Sequence, residues 1–337
     1  TLNVNGELVP TTRNHIHKIN SHDLLYITSS PDYCDDNVLT NNSIQYAGIA
    51  QHRYTWLRPI DCHRARRDGF DVVHSRLCRR FLDLMPYIHQ ATKDVLSTCT
   101  SVLSLQRWNC SSLYYLPNLP TELRAGTSEQ GYVEALSAAA ITHAMARLCS
   151  TQHSPRCGCE SNTVHASLTD IVFKHNNALG RHVVKDSLEQ KCKCSGVSGS
   201  CTIQTCWKAL PQLDVIARKI KYRYSNAIEV TLNVNGELVP TTRNHIHKIN
   251  SHDLLYITSS PDYCDDNLVL GTHGTHGRPC NASRKFKSEG SCDDLCCGRG
   301  YSTKMYFIRK QCNCKYVHCC FVQCETCVEQ EFEHYCK

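Results

Sequence analysis

The chain has 337 residues, 41% hydrophobic and 20% charged, with a formal charge of +6. That composition excludes a disordered chain, and no apolar run is long enough to span a membrane. Of its 24 cysteines, 12 lie from Cys264 onward, a density that marks a disulfide scaffold whose apolar core is too small to hold it alone. Zinc is the competing use of cysteine, and zinc sites favour paired CxxC units. Only Cys324 and Cys327 have that spacing in the tail, while Cys296-Cys297 and Cys319-Cys320 are adjacent pairs. No metal is therefore expected, and the compartment is oxidising. Asn-x-Ser/Thr sequons at Asn41, Asn109 and Asn281 agree with a secreted glycoprotein. No signal peptide precedes Thr1, so a processed or truncated form, or a missing start, is expected. Basic residues are scattered apart from Arg64 to Arg67 and Lys219 to Lys221. They read as solvated surface with weak affinity for acidic glycans such as heparan sulfate or for lipid headgroups. No nucleic-acid motif is present.

The chain opens on Thr1 to Asn37, and the same 37 residues return without a substitution at Thr231 to Asn267. Helical spacing appears first from Cys78 to Cys99, with Phe81, Leu82, Met85, Ile88, Val95 and Leu96, and Pro86 kinking or restarting the helix. A second helix, "GTSEQGYVEALSAAAITHAMARLC", has Thr127 and Gln130 placed for a capping box. "DIVFKHNNALGRHVVKDSLEQ" predicts a third, with Ile171, Leu179, Val183 and Leu188 on one side, and "PQLDVIARKIKYRYSNAIEV" a fourth.

Asn235-Gly236 then sits between short β-prone runs, a hairpin signature. "DLLYITSSPDYC" reads as a strand, and the cysteine-rich tail as short stapled ribbons. The fold class is thus a mainly α N-terminal domain with a small disulfide-rich β-ribbon C-terminal domain. The layout is residues 61–230 helical, 231–263 a hairpin linker and 264–337 cysteine-rich. The second copy of the repeat continues this order and the first continues nothing. A perfect repeat is not a solenoid unit. Residues 1–60 are expected to be out of context, from a duplicated exon or a faulty assembly of the gene, and not to pack on the core.

The stretch "CKCSGVSGSCTIQTCW", Cys192 to Trp207, brackets a Ser/Gly loop with four cysteines. Nested bridges Cys192–Cys206 and Cys194–Cys201 would make a rigid two-stranded finger. Its glycines allow a tight turn and close approach of a partner. A hydroxyl at that tip is well placed for modification by another enzyme. "GVSGS" also nearly matches the GxSxG nucleophile elbow, but Ser200 stands at the fifth position and two bridges flank it, against a strand-to-helix elbow. No enzyme is expected.

This motif is identified as that of the Wnt family of secreted lipid-modified signalling proteins, whose hallmark CKCHGxSGSCxxxTCW it matches at all but one position. "RWNCSS", "ALSAAAITHA", "SPDYC" and "CCGRGY" resemble further family blocks, and coverage runs from about Cys62 to Lys337. "WKAL" and "GTHGTHGRPC" resemble the planar-polarity branch. The resemblance implies that Ser198 carries palmitoleate, attached by a membrane-bound acyltransferase. It implies that this chain enters a groove on the Frizzled cysteine-rich domain, with Val197, Ser198 and Gly199 in contact. It implies a second finger closed by Cys312–Cys327 and Cys314–Cys324. A vicinal Cys319–Cys320 bridge lies at its tip, and Tyr316, Val317, His318, Phe321 and Val322 press on the receptor.

The remaining bridges implied are Cys99–Cys110, Cys149–Cys157, Cys264–Cys297, Cys280–Cys292 and Cys296–Cys336, with Cys62 and Cys78 paired to each other. Implied partners are a Wnt secretion carrier and co-receptors of lipoprotein-receptor-related or receptor-tyrosine-kinase type. No cofactor is expected beyond the covalent palmitoleate, and the protein is placed in the extracellular space or matrix. Its role is control of cell fate or polarity in development.

Four features depart from the family. Ser195 replaces the usual His, and His318 the usual Trp. A segment with a Gly-Gly-Cys unit is absent before Asp170, which orphans Cys159 beside the duplicated Cys34, and the leader is missing. The competing reading is a non-acylated, disulfide-rich extracellular structural or matrix-binding protein, and acylation of Ser198 separates the two.

Overall fold

The computed structural model describes residues 53–68, 70, 72–115, 126–151, 167–202, 204–241, 248–267, 272–283, 289–318 and 321–337. The first copy of the repeat and Asn41 lie outside the described residues. So do Cys34, Cys157, Cys159, Cys319, Cys320 and the side chains of Cys149 and Val197. The chain divides into two compact units. Unit 1 comprises residues up to Val102 and from Cys110 to Ser260, and unit 2 comprises Leu103–Asn109 and Pro261–Lys337.

Unit 1 is helical. Helices α1 (Ile60–Arg67) and α2 (Val72–Arg80) are tied by the Cys62–Cys78 disulfide. The helical stretch expected across Cys78 to Cys99, with a kink or restart at Pro86, breaks at residues 81–84, and α3 (Met85–Val102) restarts one residue before that proline. Pro86 falls in the first turn of α3, where its missing N–H has no intrahelical partner to lose. Helix α4 (Ser128–Thr151) is buried on every side: Tyr132, Val133, Ala135, Leu136, Ala138, Ala139 and Ile141 are all essentially inaccessible. A helix buried all round belongs at the centre of a core, and α4 packs on α3, on α5 (Leu168–Asp186) and on α6 (Leu213–Tyr224).

Capping fixes where these helices begin. Ser167 and Asp170 form a reciprocal capping box on α5. At α4 the Thr127 hydroxyl accepts from the Gln130 N–H at 3.4 Å, but the Gln130 side chain accepts from Gly126 N–H at 2.9 Å, one residue before the cap. On α5 the buried stripe runs through Val172, Leu179, Val183 and Val184 rather than Ile171 and Leu188, because α5 ends at Asp186. The expected fourth helix stops at Tyr224, and Ile228–Leu232 forms β3. Val230 and Ile228 are β-branched and buried there, which favours a pleated strand over a helix.

β3 pairs antiparallel with β4 (Leu238–Pro240), closing the hairpin at Asn235-Gly236 with Gly236 at φ +76°. It also pairs in parallel with β5 (Leu255–Tyr256). The long strand expected over Asp253 to Cys264 reduces to those two residues. The Asn176 amide takes the place of a further strand: it donates to the Leu255 carbonyl and accepts from the Leu255 N–H, both at 3.0 Å. Residues 231–260 therefore belong to unit 1 and are not a linker.

Unit 2 has a small apolar core among the described residues, in which Leu103, Trp108 and Tyr263 are buried. Leu295 clusters with Cys292, Cys296 and Cys336. Its sheet has the order β6 (Pro279–Cys280), β8 (Phe321–Cys336), β7 (Tyr301–Val317). The short ribbons expected here are in fact one ribbon of 17- and 16-residue strands, on the order of 50 Å long at the strand rise. A short helix, α7 (Cys292–Leu295), is capped by the Ser291 hydroxyl. The Arg278 guanidinium donates to the carbonyls of Ser104, Gln106 and Arg107, and Arg107 pairs with Asp294 at 2.8 Å. These bonds hold the loop 103–109 within unit 2.

Two outcomes test unit 1. A Cβ at Gly180 would overlap the Ala135 carbonyl oxygen, so Gly180→Val should lower stability by about 3 kcal/mol, read as a loss of thermal midpoint or of secreted yield. Glu134 is buried in α4, and burial raises its pKa from 4.5 to about 8, opposed by hydrogen bonds from Gln130 and Asn176. The native state therefore keeps a proton that the unfolded chain releases. Stability should fall as pH rises from about 5 through 8, and Glu134→Gln should flatten that slope in denaturant titrations.

Candidate functional site

β1 (Glu189–Cys194) and β2 (Gln204–Ala209) form a two-stranded antiparallel finger. Its base continues directly from α5 and leads directly into α6. Cys192 faces Cys206 in the register, and the disulfide between them spans 4.0 Å from Cα to Cα. Cys194–Cys201 closes the tip at 4.5 Å. Within that ring the Gly196 N–H donates to the Ser200 carbonyl at 2.8 Å and the Gly199 N–H to the Gly196 carbonyl at 3.0 Å.

The turn leaves Ser198 at φ 58°, ψ 26°, the left-handed region. A non-glycine residue there is strained by roughly 1 kcal/mol, and the two bridges impose it. Ser198 is exposed, as are Ser195 and Gly199. Gly199 shares the positive φ and has open space around its Cα. Gly196 is needed for a different reason: a Cβ there would strike the hydroxyls of Ser200 and Thr202. The strands carry Lys191, Lys193 and Lys208 against one acid, Glu189, so the finger is cationic. Ser198 lies between two strands rather than between a strand and a helix, which is not the elbow of a serine hydrolase.

The second finger is the distal half of the β7–β8 ribbon. Cys312–Cys327 and Cys314–Cys324 cross it, with Cα separations of 5.8 and 4.0 Å. Its pairing is interrupted between Cys312 and Lys315, where Asn313 takes φ 48°. Beyond that bulge Tyr316 faces Val322 and Val317 faces Phe321. Tyr316 is 74% exposed, Phe321 57% and Val322 60%, so these side chains do not pack inside the finger. Val317 is half-buried and His318 exposed. The tip thus holds large apolar groups outward, in solvent, on a doubly bridged ribbon.

Nine disulfides are present among the described residues. Besides the four in the fingers and Cys62–Cys78 they are Cys99–Cys110, Cys264–Cys297, Cys280–Cys292 and Cys296–Cys336. Cys280, Cys292 and Cys296 lie close enough to suggest a metal cluster, but all three are oxidised in bridges. Of the described sequons, Asn281 is exposed and its Oδ1 accepts from the Ser283 N–H, while Asn109 is half-buried beside buried Trp108.

Sequence reading missed the base of the ribbon. Met305 faces Phe332, and these with Phe307 and Val328 stand exposed on one face. The other face carries Lys304, Lys310, Glu329, Glu331 and Glu333. There Lys310 bonds to Glu331 and Glu329, and hydrogen bonding to Glu333 pushes the Tyr335 phenol up. The signal is the period-two alternation of acids in "VEQEFEHY", opposite the apolar run "MYF" of the partner strand.

The wnt family pattern matches residues 67–170 and 163–337. Protein Wnt-11 of Gallus gallus is 38% identical over 314 residues, covering 82% of this chain and 88% of that protein. Protein Wnt-11b-2 of Xenopus tropicalis is 36% identical over 337 residues, covering 88% and 94%. Among solved structures, a chain of human WLS in complex with WNT8A aligns with TM-score 0.53 and 26% identity, covering 76% of this chain and 95% of that one. A helical unit with a doubly bridged serine finger, a disulfide-built ribbon and relatives at this identity over four-fifths of the sequence have one reading in common: the chain belongs to the Wnt family of secreted developmental signalling proteins.

Proposed function

We propose that the protein signals as a Frizzled ligand through palmitoleate esterified to Ser198, with the ribbon tip as a second contact. The observation that carries this reading is the exposed Ser198 hydroxyl, held in a left-handed turn by two nested disulfides. A hydroxyl so presented is open to an acyltransferase, and the chain it carries points away from the finger. Burying about 14 methylenes at about 0.8 kcal/mol each supplies on the order of 10 kcal/mol gross, before the entropy of association. An unmodified hydroxyl supplies almost none of that. Receptor contact then involves Val197, Ser198 and Gly199 on one finger. On the other it involves Tyr316, Val317, His318, Phe321 and Val322 around the Cys319–Cys320 pair.

Ser195 is exposed beside the acylation turn, and a small polar group there leaves the turn itself unobstructed. His318 offers a smaller apolar surface than Trp at the second tip. An acylated protein needs a carrier through the secretory route, and the resemblance to a chain of the WLS–WNT8A complex supports a carrier of that kind. Co-receptors of lipoprotein-receptor-related or receptor-tyrosine-kinase type complete the signalling complex, and acidic glycans such as heparan sulfate retain it in the matrix. Glycans are carried at Asn109 and Asn281. The protein acts as a ligand and not as an enzyme, and its one prosthetic group is the covalent acyl chain.

Mass spectrometry of the Cys192–Trp207 peptide from protein secreted by animal cells should show a monounsaturated long-chain acyl ester on Ser198. A well-secreted, fully oxidised chain with that peptide unmodified overturns the reading. Ser198→Ala should abolish binding to a Frizzled cysteine-rich domain in surface plasmon resonance. Phe321→Ala should weaken it by about tenfold, the scale of one apolar anchor.

A further inference from the structure

Two disulfides of unit 2 meet at the base of the ribbon. Cys280 is bonded to Cys292 and Cys296 to Cys336. The Cys280 and Cys296 sulfurs belong to different bridges, yet they lie 3.6 Å apart. The sulfurs of Cys280, Cys292 and Cys296 are all within 4.8 Å of one another. α7 is the cause. The Cys296 N–H donates to the Cys292 carbonyl at 3.0 Å, so these residues stand one helical turn apart. Side chains at that spacing share a helix face, and both sulfurs are presented to Cys280 on β6. The backbone therefore holds two alternative partners for Cys280, and the native pairing uses one of them.

Access to the cluster is unequal. Cys292, Cys296 and Cys336 are buried, at 2%, 0% and 3% exposed, while Cys280 is half-buried. Leu295, 1% exposed, packs with the buried sulfurs. Thiol–disulfide exchange depends on which sulfur a thiolate can reach, so attack from solvent begins at Cys280. At the far side of the cluster, Cys336 is the residue before last. Its N–H donates to the Arg278 carbonyl at 3.0 Å and its carbonyl accepts from the Gly277 N–H at 2.9 Å. Its bridge thus anchors the end of the chain.

We propose that these two bridges are one thiol-exchange unit, entered at Cys280 by a dithiol of the CxxC oxidoreductase class and ending at Cys336. One thiolate of the dithiol attacks the Cys280 sulfur. The Cys280–Cys292 bond breaks, and its electron pair leaves on Cys292, which takes a proton. The second thiolate of the dithiol closes a disulfide with the first and releases the Cys280 thiolate. That thiolate attacks the neighbouring Cys296 sulfur. Cys280–Cys296 forms, Cys296–Cys336 breaks, and the electron pair leaves on Cys336, which takes the second proton. The dithiol is oxidised by two electrons, and the protein carries thiols at Cys292 and Cys336. The freedom gained by a released chain end favours this product. The anchor of the C-terminus thereby responds to a reductant that never reaches it. Neither acylation of Ser198 nor Frizzled binding enters the argument.

The test treats the secreted, folded protein with limiting dithiothreitol, traps thiols with N-ethylmaleimide and maps the peptides by mass spectrometry. In molecules whose Cys280–Cys292 bridge has opened, label is expected at Cys292 and Cys336, together with a peptide pair joined through Cys280–Cys296. Label at Cys336 should exceed that at Cys280 by about tenfold. Label at Cys280 and Cys292 with Cys296–Cys336 intact overturns the proposal, as does a Cys280–Cys292 bridge that opens only in denaturant. Cys292→Ser asks the same question without a reductant. Its unpaired thiol is expected at Cys336, and a free thiol at Cys280 would overturn the relay. Should that variant fail to be secreted, the map of the unaltered protein decides alone.

Discussion

The backbone of α5 at Gly180 lies against the backbone of α4 at Ala135 with no room for a side chain between them. Close approach of this kind explains the alanine-rich face of α4, where bulk would push the helices apart. It also sets the position of the serine finger. That finger has no core of its own and is suspended between the end of α5 and the start of α6, both of which pack on α4. The precision of the Ser198 turn is thus inherited from helix packing below and from disulfides above. Neither alone suffices: the packed helices place the base, and the bridges keep a strained residue in its turn.

The two units solve the stability problem by different means. Unit 1 buries an apolar core around α4 and bonds some of the polar groups it buries. Glu129 accepts from the hydroxyls of Tyr224 and Ser260, and Asn176 completes β5. Unit 2 buries a few large side chains, Leu103, Trp108, Tyr263 and Leu295, and is held mainly by covalent bonds and by the Arg278 guanidinium on three carbonyls. A unit stabilised by cross-links can spend its apolar residues on its surface, and the ribbon does so at both its tip and its base. Its charged reverse face keeps such a ribbon soluble.

Much of this was legible in the residues. The period of α3, α4 and α5, the hairpin at Gly236 and the bracketing cysteines of the serine loop are local signals, and local signals survive into the fold. What was not legible depended on contacts distant in sequence. Ile228 and Val230 continue a helical pattern but were drawn into a strand by β5, some 25 residues on. Asn176 reads as a polar interruption of a helix until Leu255 lies across it. The ribbon's length was hidden because cysteine spacing suggests loops, although the alternation between cysteines is that of long strands. At the site, the glycines announced a tight turn, but which residue would occupy the left-handed position was not written in their spacing.

The loop 103–109 has a consequence for the order of events during synthesis. It leaves the ribosome early, yet its partners lie 171 residues later at Arg278 and 187 later at Asp294. At roughly 5–20 residues per second this loop waits on the order of ten seconds or more for them. During that interval Cys99 and Cys110, which flank the loop, can already join. Early oxidation would hold the loop as a closed ring, ready for Arg278. The C-terminal unit is therefore begun by the N-terminal part of the chain, and a ribbon made alone would lack the piece that closes its foundation.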